Sequence, residues 1–169
     1  MSHRSRSAAT ILVLAFVLAA CTPPPDGGGT PLNQCPTVAG GQVRVAVVVD
    51  AAELGGQTNV VCVVVPAGSN GVQVLAARAT RLGQPAPRYN NVGLLCAIDG
   101  IPVAPACGNV GPNGPEYWSY WLGGASWQFA PIGPASRIAA DGTVDGWRFT
   151  PGGIAIEPPT TSQFSQLVT

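Results

Sequence analysis

The chain has 169 residues, which is one domain by default. Eight arginines and no lysine face eight aspartates and glutamates, so the formal net charge is zero and the basic patch expected of a nucleic-acid binder is missing. With 22 glycines and 17 prolines, short strands and many turns are favoured over long helices.

Residues 1–20 read as a targeting segment. His3, Arg4 and Arg6 form a positive start, and residues 8–20 (AATILVLAFVLAA) form an apolar run too short for a comfortable membrane span. The ending Leu18-Ala19-Ala20-Cys21 resembles the lipobox of bacterial lipoproteins. In that family the cysteine thiol is alkylated by a diacylglycerol and becomes the new N-terminus. The resemblance implies lipidation of Cys21 and a place on the extracytoplasmic face of the cell membrane. An ordinary signal peptide with a chance cysteine is the alternative. Residues 21–40 are expected to be the lipidated cysteine and a tether, because TPPPDGGGTP at 22–31 has nothing to bury. Removing residues 1–20 leaves a formal charge of −2 and takes away the only histidine.

The four remaining cysteines suggest two disulfides in an exported domain, with three connectivities open. Cys96 and Cys107 flank a turn-rich segment and are paired on that ground; Cys35 with Cys62 follows by elimination. Residues 42–50 (QVRVAVVVD) and 58–65 (TNVVCVVV) predict two Val-rich strands buried largely on both faces, joined as an antiparallel hairpin through Gly55-Gly56. Ser69 or Asn70 can cap a helix whose inner face is Val72, Leu75, Ala76 and Ala79, with Gln73 and Arg78 elsewhere. A polar loop at 81–91 precedes a third strand at 92–98, turned by Asp99-Gly100. A Pro- and Gly-rich loop runs to Pro115, and strands follow at 116–122, 126–130 and 144–149. Residues 151–169 read as a loose tail. This order predicts an α+β fold in which a mixed sheet of five to six strands packs on one helix across residues 41–150.

Without histidine or lysine in the mature chain, a Ser–His or Ser–Lys nucleophile cannot be built. Carboxylate pairs, Asp141 with Asp145 or Glu116 with Asp99, remain, but turn and strand-edge roles explain each, and the chain is not expected to be an enzyme. DGTVDG at 141–146 lacks the oxygen ligands of a calcium loop and reads as a turn, and no metal site is expected.

The sharpest feature is EYWSYW at 116–121, which holds four of the chain's eleven aromatics. Strand alternation puts Tyr117 and Trp121 on one face and Trp118 and Tyr120 on the other, whereas one helix covers only one face. The second face is then either exposed, as a binding surface extended by Trp127 and Trp147, or covered by a loop. Core packing accounts for the crowding equally well.

Several of these stretches together resemble the transcobalamin C-terminal-like domains, which are β-grasp-type modules. They are the Pro66-Ala67-Gly68-Ser69 corner with Val74-Leu75, GLLCAIDG at 93–100 leading to Tyr117-Trp118-Ser119, and Ile132-Gly133 followed by Asp141-Gly142 and a closing strand. YWSYW and DGTVDGWRF are similar to an actinobacterial lipoprotein branch with YWSYW and DGxVxGWRF motifs. The resemblance spans about residues 42–150. It implies a ligand-binding lipoprotein whose ligand is a corrinoid such as cobalamin, held without covalent attachment. Such a protein would act as an uptake accessory to an energy-coupling-factor type transporter, with a helical carrier as partner. In the carriers this domain covers one face of the corrinoid. Tyr117 and Trp118 match the family's Tyr-Trp pair; Tyr120, Trp121, Trp127 and Trp147 are added on the aromatic argument alone. A cell-envelope protein–protein interaction module with no small-molecule ligand is the competing expectation. The large helical domain of the carriers is absent from this chain, and a cysteine-flanked loop is inserted before YWSYW.

Overall fold

The computed structural model describes residues 30–104, 107–108 and 110–161. Its strands are β1 (Gln42–Asp50), β2 (Thr58–Pro66), β3 (Arg88–Tyr89), β4 (Leu95–Ala97), β5 (Val110–Gly111), β6 (Gly114–Pro115), β7 (Tyr117–Gly123), β8 (Gln128–Phe129) and β9 (Thr143–Thr150), with one α-helix, α1 (Gly71–Leu82). Five strands form a mixed sheet in the order β2-β1-β9-β7-β8; β3 with β4, and β5 with β6, form small two-stranded sheets. The result is the expected α+β, β-grasp-like arrangement.

β1 and β2 are the predicted hairpin, paired from Gln42↔Pro66 to Asp50↔Thr58 and reversed through a 3-10 turn that ends at Gly55 with φ 76°. β1 runs parallel to β9, and β9 antiparallel to β7, so the first and last strands sit together at the centre. Register assigns the faces. Val43, Val45, Val47 and Val49 share a face with Val61, Val63 and Val65, with Trp147 and Phe149, and with Trp118 and Tyr120. α1 lies on this face, and together they form the main core.

α1 starts at a reciprocal capping box: the Asn70 side chain accepts from the Gln73 N–H, and the Gln73 side chain accepts from the Asn70 N–H. It stops at Gly83, whose φ of 64° suits a residue without Cβ. The buried face is Gly71, Val74, Leu75, Arg78 and Ala79. Ala76 is exposed and Arg78 is fully buried, the reverse of the expected assignment. The reason is a fixed acceptor: Arg78 donates both ends of its fork to Asp99 at 2.8 Å and also reaches Asn59 at 2.6 Å.

The third strand is shorter than expected and leaves the main sheet. The Asn90 side chain accepts from the Val92 and Leu94 N–H groups, and Gly93 takes φ 83°, so residues 90–94 curl into a turn and only β4 remains extended. β4 pairs instead with β3, inside what had been expected as a polar loop.

Both disulfides have the expected pairing, Cys35–Cys62 and Cys96–Cys107. The first binds residues 30–37 to the edge strand β2, where Leu32 accepts from the Cys62 N–H. Arg81, from the end of α1, clamps the same segment by donating to the carbonyls of Thr30, Pro31, Gln34 and Cys62. The described part of the C-terminal segment, expected to be loose, runs across the second face of the sheet. Pro159 is buried, Thr160 N–H donates to Asp50 at 3.0 Å, and Thr161 accepts from the Trp127 indole at 2.7 Å.

Candidate functional site

The aromatic cluster is mostly interior. Trp118, Tyr120, Trp121 and Trp147 are 4%, 6%, 7% and 2% exposed. On the helix face Trp118 meets Phe149 edge-on at 5.6 Å, and Tyr120 stacks on Trp147 at 4.4 Å. On the opposite face Trp121 meets Phe129 edge-on and donates its indole N–H to Ser119. Half-buried Trp127 packs against Gly146, where an added Cβ would come within 2.5 Å of its ring and 3.0 Å of Pro159. The second face is therefore roofed by Trp127 and residues 158–161 rather than left open. The expected aromatic ligand surface is not formed by Tyr120, Trp121 and Trp147, because each loses its exposed area to another packed side chain.

The Tyr120 hydroxyl donates to Asp145 at 2.9 Å inside the domain, and Arg137 approaches the other carboxylate oxygen at 3.0 Å. Arg137 belongs to the 131–140 loop, which docks on the start of α1 through Gly71 N–H to Pro134 and Arg137, and Ala139 N–H to Ser69. Burial pushes the Asp145 carboxyl above its ordinary range, against the pull of Arg137 and Tyr120. Burial, aided by Asp145, likewise pushes the Tyr120 hydroxyl far up, so it stays a donor. Asp141 is instead on the surface, where the guanidinium and backbone N–H of Arg44 hold its carboxyl at about 2. Asp50 is buried, which raises its carboxyl, but donors from Ala52, Thr160 and Thr58 more than reverse this and lower it. These groups are bound to neighbours and build the fold.

Tyr117 differs. With Glu116 it lines a cleft of about 210 Å³ at the start of β7. Six separate segments supply the walls: Glu53 and Leu54, Leu95 and Cys96, Pro102, Cys107 and Gly108, the Glu116-Tyr117 pair, and Phe149 with Pro151. The Cys96–Cys107 disulfide is one wall and fixes the inserted loop there. The Arg78–Asp99 fork fixes another, because the Asp99-Gly100 turn (φ 53° and 82°) leads directly into Pro102. Leu94, Val103 and Val110, each within two residues of a lining residue in sequence, are 39%, 74% and 81% exposed and add apolar surface to the same loops. Of the residues that the sequence singles out, Glu116, Tyr117, Cys96 and Cys107 line this cleft, while Asp99, the expected partner of Glu116, is bound to Arg78 instead. Glu53, Leu54, Pro102 and Phe149 carry no local signal, since the tertiary arrangement alone brings them together. Among the described residues no group of three His, Cys, Asp or Glu side chains is placed to hold a metal ion.

Fold and site thus describe a disulfide-fixed α+β module with a small cleft at a loop-built end. Residues 113–168 match the family model of the SCO2322-like domain, which is a third of the chain. No curated protein matches the sequence. Among solved structures the chain is similar to haptocorrin in complex with Cbi, at 17% identity and a TM-score of 0.51. That likeness is one of fold. It covers 69% of this chain and 27% of haptocorrin, so the chain spans about a quarter of that protein's length.

Proposed function

We propose that the protein is a lipid-anchored extracytoplasmic binding module that covers one side of a corrinoid, as an accessory to uptake by an energy-coupling-factor type transporter. The observation that carries this reading is the shared fold with a haptocorrin structure that holds Cbi, cobinamide. Two disulfides support residence outside the cytoplasm, and the lipobox at 18–21 supports an anchor at Cys21. A cleft of about 210 Å³ is below the roughly 300–1,000 Å³ of pockets that enclose a whole ligand. The module would therefore cap a corrinoid edge with its apolar rim and leave the other face to a partner, a helical carrier or the transporter. Its role is binding, not catalysis.

The test is a calorimetric titration of the full chain in detergent micelles with cobinamide and with cobalamin. Saturable one-to-one binding, weakened by Val110→Asp and Val103→Asp, is the expected result. Absence of heat and of competition with both ligands would sink the corrinoid reading. The exposed Leu94, Val103 and Val110 favour a second reading in that case, a cell-envelope module that meets another protein through the same rim.

A further inference from the structure

We propose that the cleft beside Tyr117 is a binding site for an organic cation on an aliphatic stem, the chemistry of an arginine or lysine side chain or of a free alkylguanidine or alkylamine. The stem is asked for by the walls: Leu54, Leu95, Pro102, Phe149 and Pro151 present carbon. The head is asked for by the side chains that remain. Both charged groups in the lining are carboxylates, Glu53 and Glu116, and no arginine lines the cleft. Ionised carboxylates only accept hydrogen bonds, so the complementary group must donate, and a charged donor bonds about twice as strongly as a neutral one.

The two carboxylates are not equivalent. Glu53 already meets Arg148 at 3.3 Å, and Arg148 is further engaged with Pro158 and Glu157. The Glu116 carboxylate has no hydrogen-bond or ion-pair partner among the described residues. The Arg88 guanidinium donates to the carbonyl of the wall residue Pro102. A carboxylate on a partly buried residue in a mostly apolar cleft gains from a cation that brings its own apolar stem. An anion would meet two like charges. A neutral amide would satisfy Glu116 without the charge assistance. The walls are held by the Cys96–Cys107 disulfide and the Arg78–Asp99 fork, so little ordering is needed on binding. The inference concerns the small cleft and not the rim around it, and it stands whether or not a corrinoid binds.

The experiment titrates the full chain in detergent micelles by calorimetry and amide NMR with n-butylguanidinium, N-acetylarginine amide and, as an uncharged match, valeramide. Both cations are expected to bind once, tighter than valeramide by about tenfold. Glu116→Gln should weaken cation binding by about tenfold, whereas Glu157→Gln, which removes the same charge from an exposed position, should change it by less than about twofold. On the unaltered protein, added salt should weaken the cations and leave valeramide unchanged, which keeps the test decisive even if Glu116→Gln unfolds. Tighter binding of N-acetylarginine amide than of n-butylguanidinium would point to a partner's side chain, and equal binding to a free small cation. Valeramide binding as well as the cations, equal effects of the two Glu→Gln changes, or no binding by either cation would overturn the proposal. Cobinamide binding is read in a separate titration, so failure of one does not imply failure of the other.

Discussion

Replacing Arg78 by Met tests the link between helix and cleft wall. The substitution keeps most of the buried stem and removes the guanidinium, which is completely shielded from solvent. Two charge-assisted bonds to Asp99 at 2.8 Å are lost, along with the 2.6 Å bond to Asn59. Hydrogen bonds to charged groups contribute roughly 1.5–3 kcal/mol each, and losing one partner of a buried pair typically costs about 3–5 kcal/mol. Asp99 keeps 21% of its side-chain surface in water, so hydration recovers part of that loss. The expected destabilisation is about 3 kcal/mol, which corresponds to roughly 10–15 °C in a thermal ramp for a domain of this size. Urea unfolding of the full chain measures the first figure, and a double-mutant cycle with Asp99→Asn should return a coupling of about 2 kcal/mol. A loss below about 1 kcal/mol, or additive behaviour in the cycle, would show that the fork does not anchor the Asp99-Gly100 turn.

Gly146→Ala should destabilise by about 1–2 kcal/mol, since the rigid Trp127 ring and Pro159 must both yield to the new methyl; near-UV circular dichroism should show Trp127 displaced, and a variant as stable as wild type would refute the close packing. Asp145→Asn tests the buried carboxyl. Its folded pKa lies above the unfolded value, so its stabilising contribution is complete below the unfolded carboxylate range and is lost as pH rises through the folded value. Wild type should therefore gain stability on the variant as pH falls from about 7 to about 4, and a pH-independent difference would contradict the assignment. Asp50 and Asp141 shift the other way but are common to both proteins and cancel in that difference. Replacing the cysteines pairwise by Ala should cost about 3.5 kcal/mol for Cys35–Cys62, which closes 27 residues, and about 2.8 kcal/mol for Cys96–Cys107, which closes 11. Urea unfolding in the absence of reductant gives both, and a reversed order would mean that strain or residual structure outweighs loop entropy.

The parts of the fold that periodicity governs were legible. Val-rich β1 and β2, the Asn70 start of α1, and the long β7 and β9 each carry a local pattern that tertiary contacts reinforced. What failed to show were features decided by a distant partner. Arg78 reads as a surface residue until Asp99 arrives from 21 positions away to neutralise it. Residues 92–94 read as strand because they are apolar, while one Asn90 side chain supplies the acceptor that turns them. Trp121 reads as surplus for a one-helix domain because the second cover, Trp127 with residues 158–161, has the composition of a tail, whereas Tyr120 and Trp147 belong to the helix-side core, a face that alternation alone does not identify. The cleft was the least legible of all, with six contributors spread from Glu53 to Pro151.

The same facts bear on where recognition occurs. A sheet covered by a helix on one face and by Trp127 with residues 158–161 on the other offers a ligand little of either face, so binding is left to the loops at its ends. At the Tyr117 end two of these loops are tied to the core by unrelated means: a disulfide at Cys96 and Cys107, and a buried guanidinium at Asp99. Each tie fixes a segment adjoining the cleft without occupying the cleft. That is the arrangement expected when wall geometry must be held for something that arrives from outside. It also couples the two kinds of measurement: Arg78→Met should loosen Pro102 and so weaken any ligand of the cleft even at temperatures where the variant remains folded. If Arg78→Met bound n-butylguanidinium as well as wild type does, the fork would be needed for folding alone, and the cleft would owe its shape to the disulfide.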